Sequence, residues 1–302
     1  MSERMEVTVM AENTEIPAQW LRHEKVSILR PEERTLPVRP RESHKGDFGK
    51  VLVLGGSVGY TGAVSLCAQG AVRAGAGLVA VGVPEPIYPI IAVKLDAAMP
   101  FPMISPLFRK DIQYRLEWCD VCVLGPGMGR SESSLRFAQD LIEHVSVPMV
   151  VDADALFALS RDLHLLKKAA GPRILTPHEG EFQRLGGTLT DDRVADARKF
   201  MERNPCTLVL KGHRTVCAFP DGSTYVLAAG NPGMAKGGSG DVLAGVLGGM
   251  LGQLPEKEAV LTGVSIHAAA GDRCAAEMGE YGMTPVDLLR MIPYVEKDMT
   301  GR

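Results

Sequence analysis

KVLVLGGSVGYTGAVSLCAQGAVRAGAGLVAVGVPE, residues 50–85, is the stretch that decides the architecture. It opens on a short apolar run that ends in paired glycines. Small and apolar residues then recur at helical spacing from Thr61 onward, and a second apolar run, LVAVGVPE, closes it. A strand, a helix and a strand in that order imply parallel strands joined by a right-handed crossover.

The same alternation continues along the chain. DVCVLGPGMG (120–129) reads as a strand and a glycine turn, and SESSLRFAQDLIEHV (131–145) as a helix capped by Ser131. PMVVDADAL (148–156) is a strand ending at Asp152 and Asp154; RILTPHEGEFQRL (173–185) is a strand, a turn and a helix. DDRVADARKFMER (191–203) is a helix and TLVLKG (207–212) a strand. HRTVCAFPDGSTYVLA (213–228) is a hairpin turning at Asp221-Gly222. Helical patterns dominate after Gly238. The expected fold class is α/β, one domain over residues 46–302 with a mainly parallel central sheet and a short antiparallel excursion. Residues 1–45 are polar, proline-spaced and weakly periodic, and read as an arm or extra helix outside the core.

Each glycine-rich or polar cluster falls where a strand ends: GGSVGYTGA (55–63), GPGMG (125–129), DADAL (152–156), TPHEGE (176–181) and KGHRT (211–215). In open α/β sheets those ends share one edge, where ligands bind. Clusters far apart in sequence should therefore line one cleft.

Composition narrows the function. A hydrophobic share of 45% in 302 residues supports a large core, and a net charge of −3 gives no sequence-independent attraction to nucleic acid. Apolar runs are too short for a membrane span, and the start lacks the apolar stretch of a signal peptide. Six cysteines make no disulfide framework and suit buried, reduced thiols in the cytoplasm. Cys119 and Cys122 run into a strand with no second pair, which favours packing over a redox or zinc role. The dinucleotide fingerprint, the P-loop and metal-type histidine spacing do not occur.

NPGMAKGGSGDVLAG (231–245) points elsewhere. Gly237, Gly238, Ser239 and Gly240 stand at a helix N-terminus, where free N–H groups and the dipole hold an anion. Asp241 follows them. It is either a helix-start residue or a base. A phosphate nest beside a carboxylate is what phosphoryl transfer to a hydroxyl requires.

That stretch, with HKGDFGKVLVLGGSVGYTGA, GPGMG, VVDADAL, TPHEGEFQRL and KGHRTVCAFPDG, resembles the NAD(P)H-hydrate dehydratase family from about His44 to the C-terminus. The resemblance implies a ribokinase-like, three-layer α/β/α fold and repair of NADHX and NADPHX with ADP or ATP as co-substrate and Mg²⁺ on its phosphates. It assigns Asp241 as base. It places Ala63, Gly127 and His178 on the substrate, and Lys211, Gly212, His213, Arg214, Thr215, Asn231, Gly238, Ser239 and Gly240 on the nucleotide. Metal ligands stay unassigned. From the residues alone, His178 is equally a structural hydrogen-bonder and Lys211 a solvated turn lysine.

The chain departs from the family at Phe157, where Asn is usual, and at Lys236, which either adds a phosphate contact or faces solvent. Residues 1–45 are too few for the epimerase domain many relatives carry. The expectation is a stand-alone, ADP-favouring dehydratase, a homo-oligomer (tetramer) served by a separate epimerase, with no nucleic-acid or membrane partner. The rivals are a vitamin-precursor kinase of the same superfamily and a non-catalytic nucleotide sensor.

Overall fold

The computed structural model describes residues 16–104 and 109–301. Its strands are β1 (Val26–Leu29), β2 (Lys50–Leu54), β3 (Leu78–Pro84), β4 (Met99–Met103), β5 (Val121–Leu124), β6 (Met149–Val151), β7 (Arg173–Leu175), β8 (Thr207–Leu210), β9 (Val216–Ala218) and β10 (Thr224–Leu227). They form one sheet in the order β1-β10-β9-β8-β7-β6-β5-β2-β3-β4. All neighbours pair in parallel except β9, which runs antiparallel to both β8 and β10. The hairpin at residues 213–228 is thus the antiparallel excursion, and Gly222 N–H closes its turn on Phe219 O at 2.9 Å.

The helices are α1 (Thr61–Arg73), α2 (Tyr88–Lys94), α3 (Arg109–Trp118), α4 (Glu132–His144), α5 (Ala153–Leu159), α6 (Leu165–Lys168), α7 (Glu179–Arg184), α8 (Arg193–Met201), α9 (Ser239–Leu251), α10 (Glu256–Met278) and α11 (Pro285–Met299). The pleat of β2 shows how they divide. Val51 and Val53 face a core built with α1, α9, α10 and α11. Leu52 and Leu54 face a second core built with α3, α4, α5, α7 and α8. A sheet apolar on both faces needs a helical layer on each, which explains the continuous apolar runs in the sequence.

Helix α9 lies against α1 almost backbone to backbone. A Cβ on Gly245 would come within 1.9 Å of Cys67 O, and one on Gly70 within 2.7 Å of Val242 O. The small residues in AVRAGAG and VLAGVLGG therefore set the approach of the helix that carries Asp241.

Residues 16–45 depart from the reading of residues 1–45 as an arm or extra helix, of which residues 1–15 lie outside the described residues. They are not outside the core: β1 adds to the sheet edge in register Val26↔Thr224 to Leu29↔Leu227. Trp20 and Leu29 are buried. The strand has four residues, of which only Leu29 is buried, so alternation is too faint to see. Its partner lies about two hundred residues away in sequence, which no local pattern reveals.

Candidate active site

The cleft floor starts at α9. Its N-cap, Gly238, has φ +102°, a left-handed conformation that a side chain resists, and a Cβ there would press on Leu66 and Pro285. No side chain among the described residues caps this helix; Ser239 N–H goes to Lys236 O at 3.2 Å, which leaves the N–H groups of Gly240 and Asp241 for an anion. Asp241 sits in that first turn. Burial, with Asp152 second, pushes its carboxyl up to about 7; Asp154 and Glu181 add to the rise and Lys211 opposes it.

Lys211 is the cation around which these acids gather. Its Nζ lies 2.7 Å from Asp152 Oδ1 and 3.9 Å from Glu181 Oε2. Burial alone would lower the ammonium, but Asp152 and Glu181 outweigh it and hold it raised. Thr176 Oγ1 donates to Asp152 Oδ1 at 2.8 Å, fixing the carboxylate. Lys211 is therefore no solvated turn lysine. It joins the ends of β6, β7 and β8 under Asp241. Burial raises Glu181 as well, against the pull of Lys211.

His178 caps α7, its Nδ1 accepting from Gly180 N–H at 3.1 Å and Glu181 N–H at 3.4 Å. The ring is thus both a structural cap and a wall of the cleft. The KGHRT turn is held from behind by Arg193, which donates to His213 O (2.8 Å), Lys211 O (2.9 Å) and Leu210 O (3.2 Å). Burial lowers the His213 imidazole, with Arg214 and Arg193 adding to it. Two of the non-glycine residues with positive φ lie on these loops, Ala153 at +49° and Arg214 at +59°, strain of the kind that accompanies functional turns.

Across the cleft, Asn231 accepts from Gly233 N–H and donates to Asp272 Oδ1 at 2.9 Å, while Asp272 Oδ2 takes Gly230 N–H. His267 on α10 meets Ser239 O through Nε2 at 2.9 Å. Burial drops that imidazole to about 4, so it is neutral and donates its Nε2 proton to the carbonyl. Lys236 Nζ is taken by Tyr281 O and Met283 O, each at 2.6 Å. That settles Lys236 as an anchor of the adjoining loop.

These elements enclose a cleft of about 990 Å³ whose lining includes His178, Lys211, Gly212, His213, Thr215, Asn231, Ser239 and Gly240. Arg214, Gly238 and Asp241 lie outside that lining. Ala63 and Gly127 form a separate wall: a Cβ on Gly127, at φ +61°, would fall 2.8 Å from Tyr60 O and 3.0 Å from Ala63 Cβ. Asp154 ties this wall to the DADAL turn, accepting from Gly129 N–H at 2.9 Å and Arg130 Nε at 2.8 Å.

Sequence reasoning missed Asp152, Glu181, Arg193, His267 and Asp272. Arg193 had a visible signal. It stands at the helical spacing of the buried Ala197 and Phe200, a place for an apolar residue. Asp152 and Glu181 stand in the DADAL and TPHEGE turns, but only the sheet order brings them to one lysine.

The arrangement can take a proton from a hydroxyl at neutral pH and hold an anion within reach. A family model described as NAD(P)H-hydrate dehydratase matches residues 51–294. The bifunctional NAD(P)H-hydrate repair enzyme Nnr of Moorella thermoacetica is 42% identical over 276 residues, 87% of this chain and 52% of that protein. The chain spans about half the length of such bifunctional relatives. The ADP-dependent (S)-NAD(P)H-hydrate dehydratase of Neisseria meningitidis serogroup B is 39% identical over 242 residues, 78% of this chain and 80% of that one. Among solved structures, the ADP/ATP-dependent NAD(P)H-hydrate dehydratase of Bacillus subtilis, co-crystallised with ATP and Mg²⁺, superposes with TM-score 0.79 at 33% identity. That match covers 92% of this chain and 100% of the other. With this match, and with the site built on the turns that carry the family's motifs, the chain belongs to the NAD(P)H-hydrate dehydratase family and has a ribokinase-like fold.

Proposed function

We propose that the protein dehydrates (S)-NADHX and (S)-NADPHX to NADH and NADPH, consuming ADP or ATP. The observation that carries this reading is Asp241: a carboxyl raised to about 7, in the uncapped first turn of α9, beside a buried lysine. A base poised near neutrality suits a hydroxyl proton, and free N–H groups suit the phosphoryl group it receives.

In this reading Ala63 and Gly127 let the hydrated ring lie against backbone. Asp241 takes the proton of the ring hydroxyl, and that oxygen bonds to the terminal phosphorus as the bond to the nucleotide's bridging oxygen breaks. With ADP the leaving group is AMP. The ring nitrogen lone pair then expels the new phosphate ester, and loss of the adjacent ring proton restores the double bond. Gly238, Ser239 and Gly240 face the phosphates, with Thr215 and Asn231 toward the rest of the nucleotide. His178 stands at the boundary between the two ligands.

Mg²⁺ would offset charge on the nucleotide phosphates. Among the described residues no three metal-type ligands converge, and Asp152 and Glu181 are engaged by Lys211. The donor set thus fits an ion carried by phosphates and water, with at most one or two carboxylates joining it. A cytoplasmic tetramer working beside an epimerase completes the proposal.

The test is turnover of NADHX with ADP, followed at the reduced-nicotinamide absorbance. Asp241→Asn should abolish it while ADP binding, measured by calorimetry, survives. A stable phosphoester left after hydrate consumption would instead reveal a small-molecule kinase.

A further inference from the structure

Three guanidinium groups converge on one ring beside the substrate wall. Phe157, in α5, has Arg130 Cζ 4.4 Å from its ring centroid, and Arg161 and Arg184 each at 5.6 Å. They come from three separate places: the turn after β5, the end of α5 and the last turn of α7. Their charges are not balanced. Arg130 pairs with Asp154 and Arg161 with Glu132, but no ion pair to Arg184 is present among the described residues. The side chains of Arg130 and Arg161 are about half exposed, at 53% and 45%. Cation–π contacts at such exposure are weak, little to set against mutual repulsion. The chain holds surplus positive charge here on a fixed aromatic base.

The position of the cluster says what it meets. Asp154 is a joint. One oxygen takes Gly129 N–H, two residues past Gly127, and the other takes Arg130. The cluster therefore begins where the Ala63–Gly127 wall ends. The nucleotide cleft is lined by Lys211, Asn231 and Gly240, and neither the Ala63–Gly127 wall nor the three arginines belong to that lining. With the nucleotide in that cleft, the Gly127–Gly129 turn, tied through Asp154 to Arg130, is a path open to the adenosine half of a dinucleotide whose ring lies on the Ala63–Gly127 wall. The one chemical difference between the two hydrates lies on that half, a 2′-phosphate dianion, and guanidinium forks are the strongest side-chain partners for phosphate.

We infer that Arg130, Arg161 and Arg184, seated on Phe157, receive the adenosine 2′-phosphate, so that this enzyme selects NADPHX over NADHX. The inference rests on the dehydratase reading of the site. Arg184 is the residue to change, since it is exposed and holds no carboxylate. Arg184→Ala should lower kcat/KM for NADPHX about tenfold, through KM, and leave NADHX within about twofold. Arg184→Lys should recover only part, as a point charge replaces a fork. Arg161→Ala should act in the same direction. Equal losses on both hydrates, or none, would overturn the assignment. Calorimetric titration with NADP⁺ and NAD⁺, with AMP saturating the nucleotide cleft, separates this from the dehydratase reading. Tighter NADP⁺ binding, lost in Arg184→Ala, supports the subsite even if neither hydrate is turned over. Equal affinity for the two overturns it even if both are.

Discussion

Asp241 concentrates the chemistry, and its ionisation is tied to stability in a definite direction. The carboxyl stands near 7 in the folded protein against an ordinary value of 3.8. The folded state therefore binds more protons between those limits. The contribution is fully present below about pH 4 and is lost as pH rises through 7, by on the order of 4 kcal/mol at most. Asp241→Asn removes that penalty, so the variant should melt above the parent at pH 8 and level with it at pH 4. Thermal melts at the two pH values check this, and a lower melting point at pH 8 would contradict the desolvated carboxylate. Turnover should rise with pH through about 7 as the base ionises. Lys211→Met withdraws the cation that opposes the shift, so the rising limb of kcat/KM should move to higher pH. An unmoved limb in that variant would show that Lys211 serves only packing. At this scale the sequence was partly legible. Asp241 showed itself through the glycine nest. The role of Lys211 did not, because Asp152 and Glu181 reach it from other strands.

Among the elements, α9 matters most, because one helix carries the proposed base at its start and packs on α1 along its length. The closeness of that packing was not written in the hydrophobic pattern. Many small residues in AVRAGAG and VLAGVLGG read as helical, but only the structure shows Gly245 against Cys67 O. Gly245→Ala should cost about 1–3 kcal/mol, the usual range for overpacking, and should lower turnover as α9 shifts. Gly282→Ala, with nothing within 4 Å of its new methyl and no positive φ, is the control that should leave both unchanged. Melting temperatures and kcat for the pair decide it. Helix α8 acts on the side proposed for the nucleotide. Its Arg193 holds three carbonyls of the KGHRT turn and its approach, so Arg193→Ala should raise KM for ADP while kcat falls less. Loss confined to kcat would place Arg193 in the chemistry and not behind the turn.

Over the whole molecule, the parallel β-α repeats were readable because β2, β3, β5, β6, β7 and β8 are buried on both faces and each ends in a conspicuous turn. The edge was not. In β1 only Leu29 is buried, so the segment before residue 45 looks like an appendage until β10 is in place beside it. The structure makes that segment a brace. Trp20 is buried and its Nε1–H donates to Asp191 O at 2.6 Å; His23 meets Asp192 at 2.7 Å. At its far end, Leu29 O takes Ala228 N–H at 2.9 Å, two residues before the Gly230–Asn231 turn of the cleft. The two ends should therefore fail differently. Trp20→Ala removes a large buried side chain that is not part of the cleft lining, costing about 3–5 kcal/mol. That corresponds to a fall of roughly 6–15 °C in melting temperature with kcat at 25 °C preserved. Leu29→Ala loosens the strand that backs the nucleotide wall, so KM for ADP should rise together with a smaller loss of stability. Calorimetry and steady-state kinetics on both variants test the assignment. If both melt like the parent, the N-terminal segment is an appendage after all, and β10 holds the cleft edge without it.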